Sequence, residues 1–540
     1  MKKVVQTPIA ATLILGLLAA CSQTSGEAPK SPAPSDAQNT AGPTKYPLET
    51  KGTLTYWIEM NSSFLGLKST LKDVPFYQDW QKHTGVTLNI TEIPNGQSKE
   101  AFNLMLASGD LPDIVEYNWL TGAPGGPEKM ISDGYILKLN DLIDKHAPNL
   151  KKYLKDNPDV DKMVKTDDGS YYVFPFIRKD DLVKTTEGPV IRKDWLDELG
   201  LQTPTTIDEW YTVLKTFKEK KGVAAPLAFK NKPRALESLL NGSFVGAYGV
   251  VKNFYLDNGQ VKYGPAQPGY KEFLMTMHQW YEEGLIDKNF AAADTKALDA
   301  AVTSGATGAT IGGAGGGIGK WSPILTAADP KANLVPAPYP VLKKGDTPAF
   351  GQKEFSYSGA ASAAISAKTK NPELAVKFLD YAYSEEGHNF FNFGTPGLSY
   401  NLENGYPTYT DLLLKNPDKL SPSQAMGLYI RAAGVGPFIQ DKRFIEQFYA
   451  MPQQKDALTV WKSDNEKHAL PPVSIALEDA SEYAQIMSEI NTLVDETSLK
   501  IILGTLPADA FDSYLTKLKS INLDKAIKIT QAAYERYSKR

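Results

Sequence analysis

The chain is predicted to fold as an α/β protein with at least two lobes, and three observations carry that prediction. Short β-rich runs at 54–58, 86–90 and 113–117 alternate with stretches of helical spacing at Asp73–His83 and Ser98–Ser108. A βαβαβ order of this kind builds a sheet with a parallel core. The body beyond residue 51 holds about 490 residues, more than one hydrophobic core usually carries. Its 42% hydrophobic and 22% charged residues, with no later run of about 18 apolar residues, are the balance of an ordinary globular chain.

Each element has a local reason. Leu54-Thr55-Tyr56-Trp57-Ile58 is a compact β-rich run, and Val86-Thr87-Leu88-Asn89-Ile90 alternates apolar with polar residues. Ser98 opens an amphipathic helix that ends near Ser108, and Asp113-Ile114-Val115-Glu116-Tyr117 forms the third strand. Asp208–Lys221 reads as a helix with Thr205-Thr206 as its cap region, and Asp208 and Glu209 place negative charge at the positive end of the dipole. Pro268–Glu283 and Asn371–Glu386 are long helices of the same kind. Asp257-Asn258-Gly259, between an aromatic-rich run and Val261-Lys262-Tyr263, is expected to be a hairpin turn. Residues 471–540 are almost wholly helical in pattern, punctuated by Gly504 and Pro507.

The amino-terminal segment addresses location. Lys2 and Lys3 precede an apolar stretch, Ile9 to Leu18, and Leu18-Ala19-Ala20 leads into Cys21. Residues 1–20 are therefore expected to be a secretory signal, too short in its apolar part to cross ~30 Å of hydrocarbon. Cys21 is the single cysteine of 540 residues, so an internal disulfide is excluded. Its setting resembles the lipobox of bacterial lipoproteins, in which the thiol is acylated and becomes the new amino terminus. Two or three acyl chains, at ~0.8 kcal/mol per buried CH₂, anchor a protein durably. The expected location is the outer face of a bacterial cell membrane. Residues 21–51 lack apolar periodicity and are rich in Ser, Ala, Pro, Gly and Thr, and they read as the lipidated Cys and a flexible tether.

Composition and motifs exclude several functions. The net charge is −4, or −6 once Lys2 and Lys3 leave, and without basic blocks it argues against nucleic acid. The glycine run Gly312–Gly319 has Ala314 and Trp321 where a phosphate-binding loop needs Gly and Ser or Thr. The five histidines form no His-Glu-x-x-His pair, and no Gly-x-Ser-x-Gly elbow occurs. The ligand spacing of an EF-hand is absent, so no cofactor is expected, although a structural calcium ion on an Asp/Asn-rich site stays open.

Nine blocks in order then resemble one family. They are LTYW at 54–57, ASGDLPDIVEYNW at 107–119, DGYILKLNDLIDKHAPNL at 133–150, DDGSYYVFPF at 167–176 and the long stretch 191–218. The series continues at 257–287, with GATIGGAGGGIGKW at 308–321, and through 363–387 to FGTPGLSYNLENG at 393–405. The chain resembles the extracellular solute-binding proteins of bacterial ABC importers, in particular the large sugar-binding lipoproteins of Gram-positive bacteria. Beyond about residue 410 the likeness is only helical character. The family often carries an aromatic where this chain has its glycine run.

The resemblance implies a two-lobed, periplasmic-binding-protein-like α/β fold of type II that closes on its ligand about three hinge crossings. Lobe 1 would take 52–176 plus 311–367, and lobe 2 would take 177–310 plus 368–540. The crossings would fall near Phe176–Arg178, Ala309–Gly312 and Ser366–Lys370. It further implies a monomer that captures a carbohydrate, an oligosaccharide by expectation, and delivers it to ABC permease subunits.

A sugar offers an apolar C–H face ringed by hydroxyls, so its site needs aromatic surfaces with carboxylate, amide and guanidinium groups. In an open α/β sheet such groups sit beyond the carboxyl ends of strands. The candidates are Trp57 and Glu59 after the first strand, Asn118 and Trp119 after the third, Arg178 at the first crossing, Trp321 after 308–312, and Tyr400. Two other readings compete: a binding or sensor protein not coupled to transport, and a polysaccharide-acting enzyme using paired carboxylates such as Glu59 and Glu116.

Overall fold

The computed structural model describes residues 44–540, except 62–66, 186, 232–238, 240–242 and 508. The expected signal peptide, Cys21 and residues 22–43 of the expected tether lie outside the described residues. The span expected to be tether, 21–51, includes residues that pack on the fold. Tyr46 donates its hydroxyl to the Lys377 carbonyl at 2.7 Å and meets Tyr381 edge-on, and Leu48 is buried.

The first body follows the expected βαβαβ order: β1 (Gly52–Glu59), α1 (Pro75–Thr84), β2 (Val86–Ile93), α2 (Ser98–Ser108) and β3 (Ile114–Tyr117). β1 pairs in parallel with β2 from Gly52↔Val86 to Glu59↔Ile93, and with β3 at Tyr56↔Ile114. α1 has Pro75 in its first turn, where no backbone donor is lost, and stops at Gly85 in a left-handed cap. α3 (Gly126–Ser132) and α4 (Pro148–Asp156) follow.

β4 (Ile177–Arg178) then leads to a second body made of β5 (Glu187–Arg192), α5 (Ile207–Lys221), β6 (Leu227–Ala228), β7 (Phe254–Asp257), β8 (Gln260–Tyr263), α6 (Pro268–Glu282), α7 (Thr295–Thr303), β9 (Ala309–Gly313), α8 (Lys320–Ala328) and β10 (Leu334–Pro336). Its sheet runs β10-β5-β9-β6. Thr206 caps α5 by accepting from the Glu209 amide, within the expected cap region. β7 and β8 pair around Asn258 and Gly259, both at positive φ, so the expected hairpin turn is present.

β11 (Ser362–Ile365) returns to the first sheet, antiparallel to β3, and gives the order β11-β3-β1-β2. The helix expected at 371–386 is two helices, α9 (Pro372–Asp380) and α10 (Glu385–Phe393), because Ser384 caps the second by accepting from the Gly387 amide. After them come the hairpin β12 (Tyr400–Glu403) and β13 (Tyr406–Tyr409), then β14 (Ile439–Gln440), α11 (Lys442–Phe448) and α12 (Pro452–Val460). The chain closes with α13 (Leu477–Ile502), α14 (Ala510–Ser520) and α15 (Leu523–Lys539), the helical end the sequence announced.

Two expected crossings are displaced. β9 does not leave the second sheet: Ile311 pairs with Pro189 and Gly312 with Gly188, so 311–336 stays with the second body. Ser366–Lys370 stays with the first body, since the Ser366 amide donates to the Asp113 carbonyl and Thr369 to its carboxylate. The helices beyond also belong there. Trp80 of α1 stacks on Phe378 of α9 at 4.5 Å and meets Phe391 of α10 edge-on at 5.2 Å. Aromatic packing therefore places α9 and α10 with the first body, where the expected partition gave them to the second lobe.

Candidate functional site

The pairing register locates the junction between the two bodies. On the first, Phe174 bridges to Ala363, so the chain leaves at the carboxyl end of β3. On the second, Glu187 pairs with Gly313, so it arrives at the carboxyl end of β9. This first crossing carries Arg178. A second crossing runs beside it: Thr185 bridges to Lys353, the Glu354 amide donates to Lys184 O at 3.1 Å, and the Arg178 amide donates to Ser356 O at 2.8 Å. A third begins at β14, parallel to β4, with the Ile177 amide on Phe438 O at 3.0 Å, and continues through α11 to α12 against β10. Three crossings thus join the carboxyl ends of both sheets, where an open α/β fold places its ligand.

Arg178 is the predicted residue this junction brings to its centre. Its Nη1 is paired with Glu354, its Nε donates to Gln440 Oε1 at 3.3 Å, and its guanidinium lies 4.9 Å from the Phe176 ring. Each crossing therefore contributes one side chain to a single polar group: Arg178, Glu354 and Gln440. Tyr449, just after α11, is buried beside it. Burial pushes its hydroxyl up to about 12, and the Arg178 charge opposes that rise. Asn118 borders the second crossing. Its Oδ1 accepts from the Thr121 amide at 3.0 Å and would lie 2.8 Å from a Cβ at Gly359. Glu59 ends β1 and accepts from the Gly96 amide at 2.5 Å.

The four predicted aromatics lie elsewhere, as a correction to the stacking role expected of them. β1 is interior to its sheet and its carboxyl half, Tyr56 to Ile58, is buried on both faces, so Trp57 is 3% exposed and meets Phe102 and Tyr117 edge-on. Trp119 is 0% exposed, packs on Phe102 and donates Nε1–H to Val115 O at 3.1 Å. Tyr400 is buried against Phe393. Trp321 lies under the glycine run and donates to Asp299 Oδ1 at 2.7 Å. A Cβ at Gly312 would stand 2.4 Å from the Trp321 ring, so the glycine there is a packing requirement.

Sequence reasoning missed Glu354, Gln440, Phe448 and Tyr449. Phe448 stacks on Phe444 at 5.3 Å, remains partly exposed and seats Gly315, whose Cβ would fall 2.3 Å from it. With Trp321 against Gly312 and Gly317, and Tyr449 against Gly315, it is one of three aromatics that meet the glycine run. All but Glu354 lie past residue 410, where only helical periodicity was legible.

Glu116 is not available for acid–base chemistry. It is buried, accepts from the Tyr56 hydroxyl at 2.5 Å on one oxygen and from Arg431 at 2.5 Å on the other. Burial pushes its carboxyl up, while Arg431 and Tyr56 pull the other way. Arg431 also donates to Tyr77 and so pins the stretch before β14 to the first sheet. Among the described residues, no group of three or more His, Cys, Asp or Glu side chains is arranged to hold a metal.

Residues 69–389, more than half of the chain, match the bacterial extracellular solute-binding proteins. The chain belongs to that family. The fructooligosaccharide ABC transporter substrate-binding protein FusA of Streptococcus pneumoniae is 25% identical, with 97% of each chain covered. Lipoprotein LipO of Bacillus subtilis is 23% identical over 88% of this chain and 92% of its own. Among solved structures, the alginate-binding protein AlgQ2 without calcium ion superposes with a TM-score of 0.77 at 26% identity, covering 91% of this chain and 99% of that one. These likenesses establish a solute-binding protein of two-lobed type II fold, not an enzyme, and agree with Glu116 being fully engaged.

Proposed function

We propose that this solute-binding protein is held on the outer face of the cell membrane by lipid on Cys21 and captures an oligosaccharide at the crossings. It then hands the sugar to an ABC permease. The observation that carries the reading is the polar group Arg178–Glu354–Gln440, contributed by three crossing segments where the carboxyl ends of both sheets meet. Guanidinium, carboxylate and amide side chains beside Tyr449, whose ring lies 5.6 Å from that of Phe448, are the chemistry a sugar's hydroxyls and C–H face require. Relatives support the ligand class: FusA is named for fructooligosaccharides, and AlgQ2 is an alginate-binding protein. LipO, a lipoprotein by name, supports the anchor. The reading makes the protein a monomer that does no chemistry on its ligand.

A thermal-shift panel of neutral and uronate oligosaccharides against the full-length chain tests this. A ligand at ~100 times its Kd adds about 2.7 kcal/mol, so one glycan class should raise the melting temperature and be recovered uncleaved. Cleavage, or no response to any glycan, contradicts the proposal.

A further inference from the structure

The last turn of α15 makes a connection between the bodies that is not one of the crossings. Most of α15 belongs to the second body: Leu523 and Ala526 are buried in its core, and Gln531 accepts from the Val261 amide of β8 at 2.7 Å. Its end reaches the first body instead. Asp167, in the loop that leads to the first crossing, receives Arg536 Nε at 2.5 Å on one oxygen and Arg540 Nε at 3.0 Å on the other.

The remaining donors of this cluster are also used. Arg540 donates to the carbonyls of Lys162 and Lys165 and to Ser474 Oγ, and Lys162 lies 4.6 Å over the Tyr537 ring. The Asp167 amide donates to Glu128 of α3 at 3.1 Å, and Ser474 donates to the same Glu128 oxygen. Arg540 and Asp167 are 11% and 12% exposed, so water and salt screen this pair far less than a surface pair.

Between this cluster and the crossings lies a cavity of about 360 Å³, bordered by Lys162, Tyr537, Lys184, Lys353 and Glu354. The bodies are thus joined at the crossings and, away from them, at this cluster together with the adjoining contact of α13 on α3, with open space between the two places. Two separated attachments define an axis, whereas the crossings alone would also allow twist.

We infer that the carboxyl-terminal turn of α15, clasped on Asp167 by Arg536 and Arg540, is a second pivot that confines opening and closing of the cleft to one rotation. The inference stands on the two-sheet architecture and is independent of which ligand is bound. Because a pivot holds throughout the motion, it requires the clasp to persist in open and closed forms alike.

The test needs no ligand. In the full-length chain carrying Cys21→Ser, spin labels at Lys99→Cys of α2 and Lys296→Cys of α7, both exposed, report the distance between bodies. Asp167→Asn and the double change Arg536→Gln/Arg540→Gln are compared with the parent after circular dichroism shows unchanged helix content. The expected result is a distance distribution at least twice as wide in either folded variant. A distribution superimposable on the parent's in either folded variant overturns the inference.

Discussion

Trp119 distinguishes a core aromatic from a ligand platform, and its replacement by Ala has a calculable cost. The ring is fully buried, 5.2 Å from Phe102 and 6.4 Å from Tyr117, and its indole N–H satisfies Val115 O inside β3. Trp→Ala at such a site costs about 3–5 kcal/mol, including the cavity it leaves. With unfolding entropy of roughly 2.1 cal/mol/K per residue over about 490 residues, a 4 kcal/mol loss lowers the melting temperature by about 4 °C. Differential scanning calorimetry reads that shift directly. The variant that remains folded should still be stabilised by the same glycan as the parent. A variant melting within about 1 °C of the parent, yet no longer responding to glycan, would refute the core assignment.

Three further outcomes follow from the same geometry. Arg178→Ala should weaken binding of the stabilising glycan at least tenfold, about 1.4 kcal/mol by titration calorimetry, and unchanged affinity would remove Arg178 from the site. Gly312→Val should destabilise by about 1–3 kcal/mol, because its Cβ enters the Trp321 ring, while Gly316→Ala, with nothing within 4 Å of its Cβ, should stay within about 0.5 kcal/mol; equal melting temperatures would contradict this packing. Asp380 is buried where it accepts from the Asn149 and Leu150 amides, and burial raises its carboxyl to about 6 against those bonds. A carboxyl raised in the folded state favours folding fully below its unfolded value near 3.8 and loses that contribution as pH rises through about 6. The parent should therefore lose up to roughly 3 kcal/mol between pH 4 and 7, and Asp380→Asn should flatten that slope; identical slopes would show that Asp380 does not titrate there.

The elements were legible because their signals are local. The alternation at 86–90, Thr206 before Asp208 and Glu209, and Asn258-Gly259 before a β-rich run each act within a few residues, and each formed as read. The partition between bodies was not legible, since it depends on which sheet edge a strand joins and which faces bury the helices. β9 stays on β5 through Ile311↔Pro189, and Phe378 and Phe391 find Trp80, contacts that span hundreds of residues. Of the polar group at the junction, Arg178 was the one sequence candidate. Arg178 could be placed because it follows the FPF stretch before the first crossing, whereas Gln440 and Tyr449 sit in a segment where periodicity reveals helices but not the junction they meet. The tryptophans misled for a physical reason: an aromatic at a strand end serves a buried parallel sheet as readily as a ligand, and here the carboxyl half of β1, Tyr56 to Ile58, and β3 are buried on both faces.

The measurement that bears most directly on a ligand-closing cleft at these crossings is the distance between labels at Lys99→Cys and Lys296→Cys, in the Cys21→Ser chain, with and without the glycan that stabilises the protein. The account predicts that saturating glycan shortens and narrows that distance, and that Arg178→Ala at the same glycan concentration leaves it at the ligand-free value. A glycan that binds with the distance unchanged, or that closes the Arg178→Ala variant as readily as the parent, would contradict it.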